Sequence, residues 1–164
     1  MKRVYAREEH CIGCRLCEIN CLVQHSRSKK LIKAFREEKD SIVPGVQVEE
    51  NGVTNFALQC RHCDDAPCIE ACMTGAMQRD PQTGAVLSDP ERCVGCWMCL
   101  MVCPAGAVHR GADGKIASKC DLCGGEAAPA CVAGCPNEAI VYEDRDPGEP
   151  DAEEVGGGSG AGDD

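Results

Sequence analysis

Sixteen of the 164 residues are cysteine, and they fall into four runs of four with none left over. The first run is Cys11, Cys14, Cys17 and Cys21, in CIGCRLCEINC. The second is Cys60, Cys63, Cys68 and Cys72, in CRHCDDAPCIEAC. The third is Cys93, Cys96, Cys99 and Cys103, in CVGCWMCLMVCP. The fourth is Cys120, Cys123, Cys131 and Cys135, in CDLCGGEAAPACVAGCP. A repeat of this kind leaves few folds open, because every run needs its thiols brought to a common point.

Composition sharpens the constraint. The chain has only five aromatic residues: Tyr5, Phe35, Phe56, Trp97 and Tyr142. Large side chains therefore fill little of the interior. Small cysteine-rich folds replace them with disulfides or metals. Residues 1–10, MKRVYAREEH, carry no apolar run of signal-peptide length. No stretch approaches the roughly 18 apolar residues of a membrane span. The expected location is the cytoplasm, where thiols stay reduced and bind metals. Export alongside a signal-bearing partner is the route left open.

Runs one and three have the spacing C-x2-C-x2-C-x3-C, which is the bacterial ferredoxin pattern for [4Fe–4S] clusters. Three thiolates in a tight loop wrap three corners of a cubane, with backbone N–H groups turned toward the sulfurs. Gly13 and Gly95 ease that turn. The fourth cysteine is expected to start a helix leading away, so that it ligates the neighbouring cluster. Runs two and four keep the outer C-x2-C and C-x3-C spacings but lengthen the middle gap to four and seven residues. Pro104 and Pro136 follow the last cysteines of runs three and four. A zinc scaffold is the bland alternative. Zinc needs two C-x2-C pairs but neither the crowded third thiol nor the repeated C-x3-C.

Between Cys72 and Cys93 lie a turn signal, DPQTG, and a short apolar strand at Ala85, Val86 and Leu87. That is how a two-cluster ferredoxin joins its halves, so runs two and three are expected to pair. Cys60, Cys63, Cys68 and Cys103 then hold one cluster, and Cys72, Cys93, Cys96 and Cys99 another. By elimination, Cys11, Cys14, Cys17 and Cys135 hold a third, and Cys21, Cys120, Cys123 and Cys131 the fourth. The expected fold class is α+β, with two nested bacterial-ferredoxin-like units. Residues 1–27 and 104–142 form the outer unit, 60–103 the inner one, and 28–59 a helix and hairpin connection. In the connection, Leu31, Ile32, Ala34 and Phe35 mark one face of a surface helix packed on the body. A β-hairpin follows with a turn at Asn51–Gly52.

The layout resembles the four-cluster iron–sulfur subunits of molybdenum and tungsten oxidoreductases of the dimethyl sulfoxide reductase type. CRHCDDAPC and CDLC…PACVAGCP carry that likeness, over about residues 2–142. CIGCRLCEINC followed by QHS is most similar to the small ferredoxin-like partners of carbon monoxide dehydrogenase. It is also similar to the polyferredoxin subunit of tungsten aldehyde oxidoreductases. The resemblance implies the same nested pairing and a non-catalytic electron-transfer subunit with four [4Fe–4S] clusters. It also implies a large catalytic partner with tungsten, molybdenum or nickel. With clusters near both ends, the chain is expected to pass electrons to a downstream acceptor or to further copies of itself stacked as a wire. It departs from the longer members, which often carry a membrane anchor, by being compact, and no direct membrane insertion is expected. A freely diffusing polyferredoxin is the alternative role.

Other classes fit less well. A radical enzyme needs a C-x3-C-x2-C order that is absent. Nucleic acid is an unsuitable partner. The net charge is -10, and residues 143–164 alone hold nine acids and one base. That tail, ending in GGGSGAGDD, has a linker's composition and is expected to lie against a partner or a neighbouring copy. His10, His25, His62 and His109 read as surface or supporting groups, with His10 and His62 placed to modulate a nearby cluster. Trp97 and Met98 are expected to pack over a cluster, and Met73, Met77 and Met101 to lie in the core.

Overall fold

The computed structural model describes residues 1–111, 113–114, 119–124 and 127–144. The acidic tail beyond Asp144 and parts of the return segment after Gly111 lie outside the described residues. Within them the chain is α+β. The order is β1 (Arg3–Ala6), α1 (Leu16–His25), α2 (Leu31–Lys33), β2 (Val46–Asn51), β3 (Thr54–Gln59), α3 (Pro67–Glu70), β4 (Met77–Arg79), β5 (Val86–Ser88), α4 (Met98–Met101), α5 (Ala130–Ala133) and β6 (Ile140–Glu143).

The strands form three antiparallel pairs. β1 pairs with β6, so Arg3 faces Glu143 and Ala6 faces Ile140. β2 pairs with β3, and β4 with β5. Two-stranded sheets are marginal alone, so side chains tie them together. Gln59 Nε2 donates to the Val4 carbonyl at 3.0 Å, fastening the β2–β3 hairpin to β1. Val48 N–H donates to the Glu18 carboxylate at 2.7 Å, fastening β2 to α1. Glu143 closes β6, although composition groups it with the tail.

The core is made of small residues. Val4, Val46, Val48, Ala57, Ala85, Leu122 and Ile140 pack with Cys17, Cys21 and Cys131. A second cluster holds Met77, Cys99 and Val108, with Cys68, Cys72 and Cys103 packed against it. The cysteines are thus part of the filling, as the scarcity of aromatics requires.

Several expectations shift. The 31–38 segment is helical, but α2 widens into a π-helical turn over Ala34–Glu38. Only Ala34 is buried, at 0 % exposure, while Leu31, Ile32 and Phe35 stand in solvent. The hairpin turn falls one residue later than expected. Asn51 pairs with Thr54, so Gly52 and Val53 are the central residues. Gly52 has φ +68°, which fits a turn with glycine first. The strand placed at Ala85–Leu87 runs instead over Val86–Ser88. Met77 is buried as expected, but Met73 and Met101 are 76 % and 81 % exposed. Met101 is the last residue of the one-turn α4, and Met73 lies three residues beyond the end of α3.

Candidate cluster-binding sites

All four runs fold by one local rule. In each C-x2-C, the residue before the second cysteine has positive φ: Gly13 at +68°, His62 at +47°, Gly95 at +69° and Leu122 at +55°. The left-handed residue reverses the loop and lets consecutive N–H groups turn inward. Gly95 N–H does so, donating to Cys93 Sγ at 3.2 Å. Two runs accept that conformation without glycine, at a cost of roughly 1 kcal/mol or more each.

The third cysteine, rather than the fourth, then enters a helix. Cys17, Cys68, Cys99 and Cys131 are each the second residue of α1, α3, α4 and α5. The fourth cysteine follows four residues later, one helical turn on. Cys21 lies inside the longer α1, whereas Cys72, Cys103 and Cys135 follow the ends of their one-turn helices. A fourth thiol so placed lies one turn beyond its own loop.

Two cavities show the outcome. One is lined by Cys11, Cys14 and Cys17 together with Cys135 and Pro136. The other is lined by Cys60, Cys63 and Cys68 together with Cys103 and Pro104. Each pairs three thiols of one run with the last thiol of another. Elsewhere, Cys131 lies within electrostatic reach of Cys120, Cys21 and Cys123, and Cys99 of Cys96 and Cys72. Cys93 shares its loop with Cys96. Among the described residues, no three His, Cys, Asp or Glu side chains converge closely enough to hold a single metal ion.

Burial pushes the Cys17 and Cys120 thiols up to about 12 and raises Cys131 as well. These thiols hold their protons until a metal displaces them. Backbone donors reach two further thiols: Gly45 N–H meets Cys21 Sγ at 3.3 Å and Met77 N–H meets Cys72 Sγ at 3.4 Å. Thiol donors grouped in fours, inward N–H groups and apolar walls fit an iron–sulfur cube.

The histidines diverge from one surface role. His62 is fully buried and lines the second cavity. Its Nδ1 accepts the Val86 N–H at 3.0 Å. Burial, aided by the Lys119 ammonium, pushes its imidazole down to about 3. His10 lines the first cavity. His25 is held at both nitrogens, Nδ1 to the Cys21 carbonyl at 2.8 Å and Nε2 to Asp121 at 3.1 Å. Trp97 is half-buried beneath the Arg110 guanidinium, 4.8 Å from the ring centre, and Met98 is exposed. Sequence reasoning missed Lys119, which is buried and donates to the Val86 and Cys120 carbonyls. Its position next to Cys120 was the available signal.

These turns and thiol groups define an iron–sulfur cluster-binding protein. Residues 52–145 match the family model described as a 4Fe-4S dicluster domain, and the chain belongs to that family. The match takes in the second, third and fourth runs. Over 159 residues the chain is 39 % identical to the "Iron-sulfur protein" of Rhodospirillum rubrum, covering 87 % of this chain and 82 % of the relative. It is 36 % identical to the "Electron transport protein HydN" of Escherichia coli (strain K12), covering 87 % of each. It is 33 % identical to the "Thiosulfate reductase electron transfer subunit PhsB" of Salmonella typhi, covering 82 % of this chain and 71 % of the relative. Among the described residues, no helix is long and apolar enough to cross a membrane.

Proposed function

We propose that this chain is a non-catalytic electron-transfer subunit that holds four [4Fe–4S] clusters in two nested ferredoxin-like units. The ligand sets are Cys11, Cys14, Cys17 and Cys135; Cys21, Cys120, Cys123 and Cys131; Cys60, Cys63, Cys68 and Cys103; and Cys72, Cys93, Cys96 and Cys99. The observation that carries the reading is the pair of cavities in which a distant fourth thiol completes a three-thiol loop. When bound, such clusters supply one-electron chemistry over roughly -700 to +450 mV.

Neighbouring thiols suggest an order. Cys17 is an electrostatic neighbour of Cys131, and Cys60 of Cys120. Cys99 shares a core cluster with Cys68 and Cys103. The Cys11 set and the Cys72 set therefore lie at the two ends. Those ends also carry the two exposed thiols, Cys14 and Cys96. Exposed Ile12 and Leu16 flank the first, and Val94 and Met98 flank the second. Exposed apolar side chains around an exposed thiol suit the docking of a redox partner. One partner is a large catalytic oxidoreductase subunit, and the other a downstream acceptor or a further copy of the chain.

The test is metal analysis of the complex purified without oxygen. Roughly sixteen iron per chain is expected, at four iron per four-cysteine set. Tungsten, molybdenum or nickel is expected in a co-purifying subunit. Zinc in place of iron, or the absence of a large partner, overturns the proposal. Cys11→Ser and Cys135→Ser should remove the same reduced-cluster signal, which tests the pairing.

A further inference from the structure

The buried imidazole of His62 has one nitrogen in use. Val86 N–H donates to Nδ1, so Nδ1 carries no proton and Nε2 does. Nε2–H is buried and has no hydrogen-bond partner in the protein. An unpaired buried donor costs roughly 1–3 kcal/mol. The side chain is 0 % exposed and lines the cavity of Cys60, Cys63, Cys68 and Cys103. Its backbone is held at φ +47°, a conformation costly for a non-glycine residue. Two costs are thus met to place one donor.

We infer that His62 donates its Nε2–H to a sulfur of the cluster held by Cys60, Cys63, Cys68 and Cys103, and thereby raises the reduction potential of that site. This rests on the cluster reading above. The physical reason is charge. Reduction adds an electron to the cluster, and a donor aimed at sulfur stabilises the more negative form more strongly. His62 is a positioning and tuning residue, not a ligand. Lys119 supports the arrangement by donating to the carbonyl of the same Val86 whose N–H holds the ring.

The experiment is a redox titration of the four-cluster protein followed by electron paramagnetic resonance, with iron counted on each sample. His62→Asn tolerates the left-handed backbone and keeps an acceptor near the Nδ1 position, but its shorter amide places no N–H at the Nε2 position. It should lower one midpoint by a tenfold change in the reduced-to-oxidised ratio, about 59 mV for a one-electron couple. His62→Gln restores a donor near the Nε2 position and should hold the midpoint closer to that of the parent protein. Unchanged midpoints in His62→Asn with full iron overturn the inference and leave the cluster reading standing. Equal falls in both variants also overturn it, because they assign the effect to packing. A parent protein without iron overturns both readings. If the variants lose iron, the parent protein labelled with ¹⁵N-histidine decides. A resolved histidine nitrogen coupling to a reduced cluster supports the donor, and its absence rejects it.

Discussion

Replacing Gly45 by alanine puts a methyl group against backbone that has nowhere to go. A Cβ at this position stands 2.9 Å from the N and the Cα of Cys120, and 3.0 Å from the carbonyl carbon of Lys119. Comfortable carbon contacts lie at about 3.5–4.0 Å, so one segment must retreat by roughly 0.5–1 Å. Side chains rotate away from such pressure, but a main chain cannot. Overpacking of this kind costs roughly 1–3 kcal/mol. Gly45 N–H also donates to Cys21 Sγ at 3.3 Å, and losing a bond to a charged acceptor costs roughly 1.5–3 kcal/mol. The same movement causes both losses, so they overlap, and about 2–4 kcal/mol is expected. Cys21 and Cys120 belong to one proposed ligand set, so the damage is local. Gly45→Ala should lose roughly four of about sixteen iron and melt at lower temperature. The assay is iron per chain with a thermal melt, both without oxygen. Full iron with an unchanged melt would refute the reasoning.

Further outcomes follow from the same geometry. Met77→Ala, in the core beside Cys99 and Val108, should destabilise the loaded protein by roughly 2–5 kcal/mol in thermal or denaturant unfolding. Val94→Asp and Met98→Asp should leave iron content unchanged but slow electron exchange with the partner, read by stopped-flow reduction; unchanged rates would place docking elsewhere. The Glu38 carboxylate accepts the N–H groups of Arg27 and Ser28 at 2.7 and 3.2 Å, which lowers its pKa. A lowered folded-state pKa gives stability that is present above about 4.5 and lost as pH falls through the folded value. Proteolysis between residues 27 and 38 should therefore accelerate below that pH, and Glu38→Gln should remove the dependence.

Much of the site was legible because ligand spacing is a local property. C-x2-C fixes the length of a loop, and C-x3-C fixes one helical turn. Gly13 and Gly95 announced the left-handed residue that reverses each loop. His62 and Leu122 occupy the same place without announcing it, since neither residue type marks positive φ. The helix start was misplaced for a related reason. Spacing shows that two thiols lie one turn apart, but not which of them opens the helix.

Sequence alone determined the number of thiols, their grouping in fours and the small-residue core they must help to fill. Those follow from covalent spacing and from the lack of large side chains. Tertiary structure decided what meets across distance: Cys135 beside Cys11, Cys103 beside Cys60, Gly45 against Cys120, and His62 beneath Val86. It also left Leu31, Ile32 and Phe35 in solvent, where their spacing had suggested a packed face. The reason is that periodicity records which side chains share a local face, whereas burial depends on what the rest of the chain brings against that face.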